Sequence, residues 1–383
     1  MNSGEHSAFY YTTREPVRVT WREGKILSLT KTEEQPATNL WLAPALVDLQ
    51  INGYGGVDFQ RDGLSLEQLL RASRALRRDG CGKFFFTLIT DEWPKMLARL
   101  EHARRLRAQS PELQDALAGW HMEGPFLSEQ RGFCGAHNPA RMIDPTPEHL
   151  HTLRAVTGHD PVLLTLAPER AGAIDAIRLA RTLGMTVSLG HTDASAEVLR
   201  AAVEAGATGF THLGNGCPRE LDRHDNILWR IADEPRLGAS LIPDGLHVSP
   251  APFRLLHRLL DAGRLIYYTT DAMAAAGAGP GRYTLGELEV EVGADQVVRQ
   301  PGRTNFAGSA LTPFEGVFRA AKMLNGPWQE CWRRFSEAPA QWVGLRNEIR
   351  IDEPAAFCLI TLDEHGQPID VQTLGGPKRA DAK

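Results

Sequence analysis

The stretch TVSLGHTDASAEVLRAAVEAGATGFTH, residues 186–212, is an apolar run, a helical stretch and a second apolar run, with a histidine closing each run: His191 and His212. Runs of four to six apolar residues are too short for core helices and read as strands. Their continuous rather than alternating apolar character predicts parallel strands buried on both faces. A strand–helix–strand unit of this kind belongs to an α/β fold.

The same texture extends in both directions. ALVDLQ (45–50) precedes SLEQLLRASRALRRDG (65–80), and KFFFTLIT (83–90) precedes WPKMLARLEHARRLRAQ (93–109). LAGWHME (117–123) follows, then VLLTLAPE (162–169) with AGAIDAIRLARTLG (171–184). After His212 the chain reads as a loop. LGASLI (237–242) is then followed by APFRLLHRLLDAG (251–263), and LIYYTTDA (265–272) by a long return that includes a hairpin-like RYTLGELEVEV. Eight such strands suit a (β/α)8 TIM barrel better than an open sheet. No GxGxxG follows the first strand, which leaves a dinucleotide fold without support.

Both ends are different. PVRVTWREGKILSL (16–29) alternates through Val17, Val19 and Trp21 and turns at Gly24, and residues 347–376 return to strand character. The two ends are expected to pair into a small β-sandwich domain. The expected division is 1–43 and 346–383 for that domain and 44–345 for the barrel.

The 383 residues are 42% apolar and 23% charged, with a net charge of −5. That balance offers no field to attract nucleic acid or an anionic membrane. The longest apolar runs, such as FFFTLIT (84–90), are far too short to span a bilayer. Five scattered cysteines without a CxxC pair argue against a disulfide framework. With no signal-peptide pattern at the N-terminus, a cytoplasmic location is expected.

Chemistry in such barrels gathers at the C-terminal ends of the strands. Those ends carry Gln50, Asn52, Glu123, His191, His212, Asp244, His247 and Asp271. A single histidine there is most often a hydrogen-bonded structural residue. Two in consecutive units, with a carboxylate two strands earlier, form a set known from catalytic zinc sites. Asp271 precedes no clear helix, so a capping role is weak, and a carboxylate facing an activated water is the sharper reading. The loop at Asn215, Gly216 and Cys217 offers backbone N–H groups to an anion or amide, with Arg219 and Arg223 nearby.

These stretches together resemble the N-acetylglucosamine-6-phosphate deacetylases of the amidohydrolase superfamily. The resemblance runs through PALVDLQINGYGG, HMEGPFLSEQRGFCGAHNP, LTLAPE, VSLGHTDAS, FTHLGNGCP, PDGLHV, TTDAMAAAG and FAGSALT, in family order. It implies that Glu123, His191 and His212 hold a metal, that Asp271 is the catalytic base and that His137 stabilises the oxyanion. It also implies substrate contacts from Ala136 and His137, from Asn215 and Gly216, from His247, and from Phe306, Ala307 and Gly308. Arg223 corresponds to an arginine that reaches the phosphate in the neighbouring subunit, which implies a homodimer.

Many superfamily members hold a second metal with His-x-His after the first strand and a lysine after the fourth. Here those places read Gln50-Ile51-Asn52 and LTLAPE. One divalent ion per subunit is therefore expected, Zn²⁺ by ligand softness, with at most a weak second ion near Gln50. The implied substrate is N-acetylglucosamine 6-phosphate. Gly214, Phe306 and the loop from Arg219 to Asn226 depart from the family pattern. N-acetylgalactosamine 6-phosphate, a cyclic amide substrate and a non-catalytic sugar-phosphate sensor are the alternatives.

Overall fold

Eight apolar runs form one parallel sheet, in chain order: Leu46–Ile51, Cys81–Ile89, Leu117–Glu123, Val162–Leu166, Thr186–Leu189, Gly209–Phe210, Gly238–Leu241 and Ile266–Tyr268. The computed structural model describes residues 3–36, 38–260, 263–302, 306–352 and 356–375. Neighbouring strands pair in parallel throughout. Helices pack outside the sheet and side chains fill its inside, so the third strand is buried at all seven positions. That double burial explains the continuous apolar texture.

Among the described residues no backbone ladder joins the first strand to the eighth. Side-chain chemistry and one bridge close the seam instead. The Asp48 carboxylate accepts hydrogen bonds from the Thr269 hydroxyl and from the Thr270 N–H and hydroxyl. The Asn52 N–H then donates to the Ala272 carbonyl at 2.7 Å. The result is a nearly closed eight-stranded parallel barrel.

The unit formed by residues 186–212 shows how the local signals work. Ser195 caps helix Ala196–Ala205 by accepting from the Val198 N–H, and Gly206 ends it at φ 118°. The buried Leu199, Ala202 and Ala205 recur every three residues and face the barrel. The sixth unit differs from expectation. Its connection contains helix Ile227–Asp233, whose cap Asn226 accepts from the Leu228 and Trp229 N–H groups. Seven residues are too few to display an apolar period. The long return after the eighth strand resolves into the hairpin Gly281–Leu285/Leu288–Val292 and three helices, Pro313–Leu324, Trp328–Phe335 and Glu337–Trp342.

The two chain ends build one six-stranded sheet, ordered Pro368–Gly375, Ala356–Leu362, Leu40–Pro44, Ser3–Tyr10, Pro16–Arg22, Lys25–Lys31. It curls over itself. Trp21 meets Phe357 edge-on at 5.3 Å although three steps of the sheet separate their strands. Alternation decides which face each residue serves. In Ala356–Leu362, Phe357 and Leu359 enter the core of this sheet, while Cys358, Ile360 and Leu362 join the barrel's core.

Candidate active site

The C-terminal ends of strands three, five, six and eight deliver Glu123, His191, His212 and Asp271 to one mouth. Three of the four have left-handed backbone, with φ of 51° at His191, 36° at His212 and 52° at Asp271. Non-glycine residues seldom adopt positive φ, and such outliers concentrate at functional sites. The bend takes the chain out of the strand and turns each side chain over the barrel's open end.

Glu123 Oε1 lies 2.7 Å from His212 Nε2 and 3.5 Å from His191 Nε2, and the two ring nitrogens are 3.2 Å apart. All three residues are buried, and one ligand atom from each falls within 4.8 Å of the others. The Phe133 carbonyl, 2.8 Å from His191 Nδ1, can only accept, so that nitrogen carries the proton. Nε2 of His191 is then a bare lone pair aimed at a second nitrogen and a carboxylate. Three electron-rich atoms converging without room for a proton on each fit a divalent cation. Burial alone would raise the Glu123 pKa, but the His191 and His212 rings outweigh it and hold the carboxyl well below its usual range. Gln50 donates from Nε2 to Glu123 Oε1 at 2.8 Å and orients the carboxylate from behind.

The fit around His191 is close on both sides. A Cβ on Gly135 would lie 2.9 Å from its Cε1, and one on Gly216 would lie 2.9 Å from its Nδ1. Both glycines have positive φ, and no other residue type would leave the ring where it is.

His137 stands beside this cluster, its Nε2 3.9 Å from Glu123 Oε2. The Thr90 backbone N–H donates to His137 Nδ1 at 3.3 Å, with the Thr90 hydroxyl at 2.9 Å. Nδ1 is therefore an acceptor, and a neutral His137 carries its proton on Nε2. Burial, and then the neighbouring His191 ring, lowers the His137 pKa to about 3. Asp271 moves the other way, raised to about 7 by burial and then by the charge of Glu123.

At the mouth lies a cavity of about 710 Å³. Asn52, Ala136, His137, Asn215, Gly216, His247, Asp271, Phe306 and Gly308 line it, together with Glu123, His191 and His212. Ala307 lies elsewhere, buried in the apolar cluster of Met273 and Leu285. Asp244 sits behind His247, accepting from Nδ1 at 2.6 Å and from the backbone N–H groups of Leu246 and His247. Arg219 lines the cavity and Arg223 does not; Arg223 is exposed beside His224.

Sequence reasoning did not single out Thr90, the Phe133 carbonyl or Ser240, whose hydroxyl accepts from the His212 N–H at 2.7 Å. Thr90 had a usable signal, since it closes the second strand as His191 closes the fifth. The Phe133 carbonyl had none, because backbone groups carry no residue identity.

No family model matches the chain. It is 32% identical over 308 residues to the N-acetylglucosamine-6-phosphate deacetylase of Vibrio furnissii, covering 80% of this chain and 75% of that protein. It is 31% identical over 361 residues to the N-acetylgalactosamine-6-phosphate deacetylase of Escherichia coli O157:H7, covering 93% and 89%. Among solved structures, a mutant N-acetyl-D-glucosamine-6-phosphate deacetylase from Mycobacterium smegmatis in complex with N-acetyl-D-glucosamine-6-phosphate superposes with a TM-score of 0.85 at 28% identity, over 98% of this chain and 99% of that one. Similarity at this level and over this length shows that the chain belongs to the N-acetylglucosamine-6-phosphate deacetylase family of the amidohydrolase superfamily.

Proposed function

We propose that this chain hydrolyses the acetamide of N-acetylglucosamine 6-phosphate to glucosamine 6-phosphate and acetate. The observation that carries the reading is the convergence of Glu123, His191 and His212 at the mouth of a cavity that Asp271 and His137 also line. Glu123, His191 and His212 would hold one divalent ion, Zn²⁺ by the softness of two imidazoles and a carboxylate. When bound, such an ion supplies Lewis-acid chemistry, acidifying water and polarising a carbonyl.

The chain's own residues do the rest. Asp271 accepts the proton of the attacking water and passes it to the departing nitrogen, so that acetate leaves as the amine is released. His137, neutral with its proton on Nε2, donates to the developing oxyanion. Thr90 keeps it in that tautomer. Asn215, Gly216, Ala136, Phe306 and Gly308 line the space for the sugar. Asp244 holds the His247 ring by Nδ1 and leaves Nε2 for the substrate.

The same reading makes the enzyme a homodimer whose Arg223 reaches the phosphate in the neighbouring subunit. Two features support it. Arg223 does not line its own cavity, and Trp229, Leu246, Leu255 and Leu259, on the sixth and seventh connections, are exposed apolar residues suited to burial by a second copy. The division into a barrel of residues 44–345 and a small domain of 1–43 and 346–383 is likewise proposed, on the strength of the separate core between Trp21 and Phe357. Among the described residues no helix is long and apolar enough to cross a membrane. That accords with a cytoplasmic enzyme.

The deciding experiment is acetate release by wild type and Asp271→Asn, with N-acetylglucosamine 6-phosphate and N-acetylgalactosamine 6-phosphate compared. The reading expects wild-type turnover to be faster on the former. It also expects a drop of at least ~10²-fold in kcat for the variant at unchanged metal content. Near-native turnover by Asp271→Asn would reject the base, and preference for the second sugar would reject the substrate.

A further inference from the structure

We infer that Asn52 is a positioning residue that holds Asp271 by one carboxylate oxygen and leaves the other free for proton transfer; this rests on the assignment of Asp271 as base. Asn52 follows the first barrel strand and Asp271 the eighth, so the pair spans the seam of the barrel. Asn52 Nδ2 donates to Asp271 Oδ1 at 2.7 Å. Among the described residues no second hydrogen bond reaches the Asp271 carboxylate. Its orientation above the mouth therefore depends on this contact.

Both backbones are already clamped. The Asn52 N–H donates to Ala272 at 2.7 Å, and the Asn52 carbonyl accepts from the Phe59 N–H at 3.0 Å and from Gln60 Nε2 at 3.3 Å. The Asp271 carbonyl accepts from the Ser309 N–H at 3.1 Å. What the backbone leaves free is rotation about the side-chain bonds of Asp271, and the Asn52 amide removes that freedom. An acceptor oxygen engaged by a neutral donor keeps its place without being protonated by it. The opposite oxygen then faces the reacting atoms.

The other half of the amide argues that this is not a packing role. Asn52 is 2% exposed, and its Oδ1 is buried with no hydrogen-bond partner. A buried acceptor without a donor weakens a fold, and leucine would fill the same space without that cost. An amide kept in such a place is retained for what its N–H does.

The test is a double-mutant cycle on the metal-loaded enzyme with N-acetylglucosamine 6-phosphate, comparing wild type, Asn52→Leu, Asp271→Asn and the double variant. Asn52→Leu is expected to lower kcat about 10–100-fold with KM within about twofold, the cost of a base set loose by an ångström or less. Its metal content should be unchanged. On the Asp271→Asn background the same substitution should alter the residual rate less than about twofold, since a positioning residue has nothing left to position. Asn52→Ala is read by the same rates should leucine not be accommodated. An equal fold-loss on both backgrounds would overturn the inference. So would a rise in KM alone, or loss of the metal, which would make Asn52 Oδ1 a ligand. Retention of turnover by Asp271→Asn alone would instead remove the base assignment, and the two failures are distinct.

Discussion

Asp48 Oδ2 accepts from both the N–H and the hydroxyl of Thr270, at 2.9 and 2.6 Å, across 222 residues of sequence. This carboxylate helps to tie the first barrel strand to the last, where no ladder joins them among the described residues. Burial raises its pKa to about 6, against the pull of the Thr269 and Thr270 hydrogen bonds. The folded state thus binds the proton more tightly than the unfolded chain, whose Asp titrates near ~3.9. The stability this contributes is fully present below pH ~4 and is lost as the pH rises through about 6. The amide introduced by Asp48→Asn does not titrate. Between pH 4 and 7.5 the stability of this variant relative to wild type should accordingly rise by about 3 kcal/mol at most. Urea unfolding of both proteins across that range measures it, and a difference independent of pH would show that Asp48 is ionised throughout.

Metal content follows from the lone pairs that meet between Glu123, His191 and His212. Purified protein is expected to hold about one divalent ion per chain. His191→Asn and His212→Asn should each lose most of it, because two ligands and a water seldom retain zinc through purification. Elemental analysis decides this, and full occupancy in both variants would remove these residues from the site.

The glycines against His191 give a test that removes no ligand atom. Gly216 has φ +61° and leaves 2.9 Å between an added Cβ and the His191 ring. Gly216→Ala should push the imidazole off its position and weaken metal binding about 10–100-fold, the range seen when a ligand's orientation is disturbed. The barrel should remain folded, since the loop lies outside its core. Chelator competition reads the affinity, and an unchanged value would mean that the loop yields instead of the ring.

Arg223→Ala should raise KM for the phosphorylated sugar about 10–100-fold and leave the weak use of the unphosphorylated sugar nearly unchanged, because the lost contact is a charge-assisted bond to phosphate. Mixing Arg223→Ala with Asp271→Asn subunits should restore part of the activity. One site of a mixed dimer then combines an intact Asp271 with an intact Arg223 from the other chain. Equal loss on both sugars, or no rescue between subunits shown to exchange, would assign the phosphate to a residue of the same chain, with Arg219 already at the cavity wall.

The helices after the first, second, fourth, fifth and seventh strands were legible because their apolar residues repeat over ten or more positions. The helix Ile227–Asp233 was not, because seven residues cannot establish a period and Asn226 caps it from within a polar loop. Pro147–Thr157, after the third strand, also gave little sign, since only Leu150 and Leu153 bury apolar side chains from its eleven residues besides Thr157. At the site, Glu123, His191, His212 and Asp271 were visible as polar residues closing apolar strands, a boundary that local sequence marks clearly. Thr90 closes a strand in the same way, but a threonine is common at a strand end and marks a site less sharply than a histidine or a carboxylate.

What the sequence determined by itself was the order of strands and the chemical identity of the groups at their ends. Both are local properties, set by runs of apolar residues and by which residue follows them. The tertiary structure alone decided which of those groups meet. Asn52 and Asp271 lie 219 residues apart and are joined because the barrel closes on itself. The tautomers of His137 and His191 depend on Thr90 and on the Phe133 carbonyl, brought alongside by separate loops. A hydrogen bond needs its partners within about 3 Å. No pattern of spacing along a chain can specify that for residues brought together only by closure of the sheet.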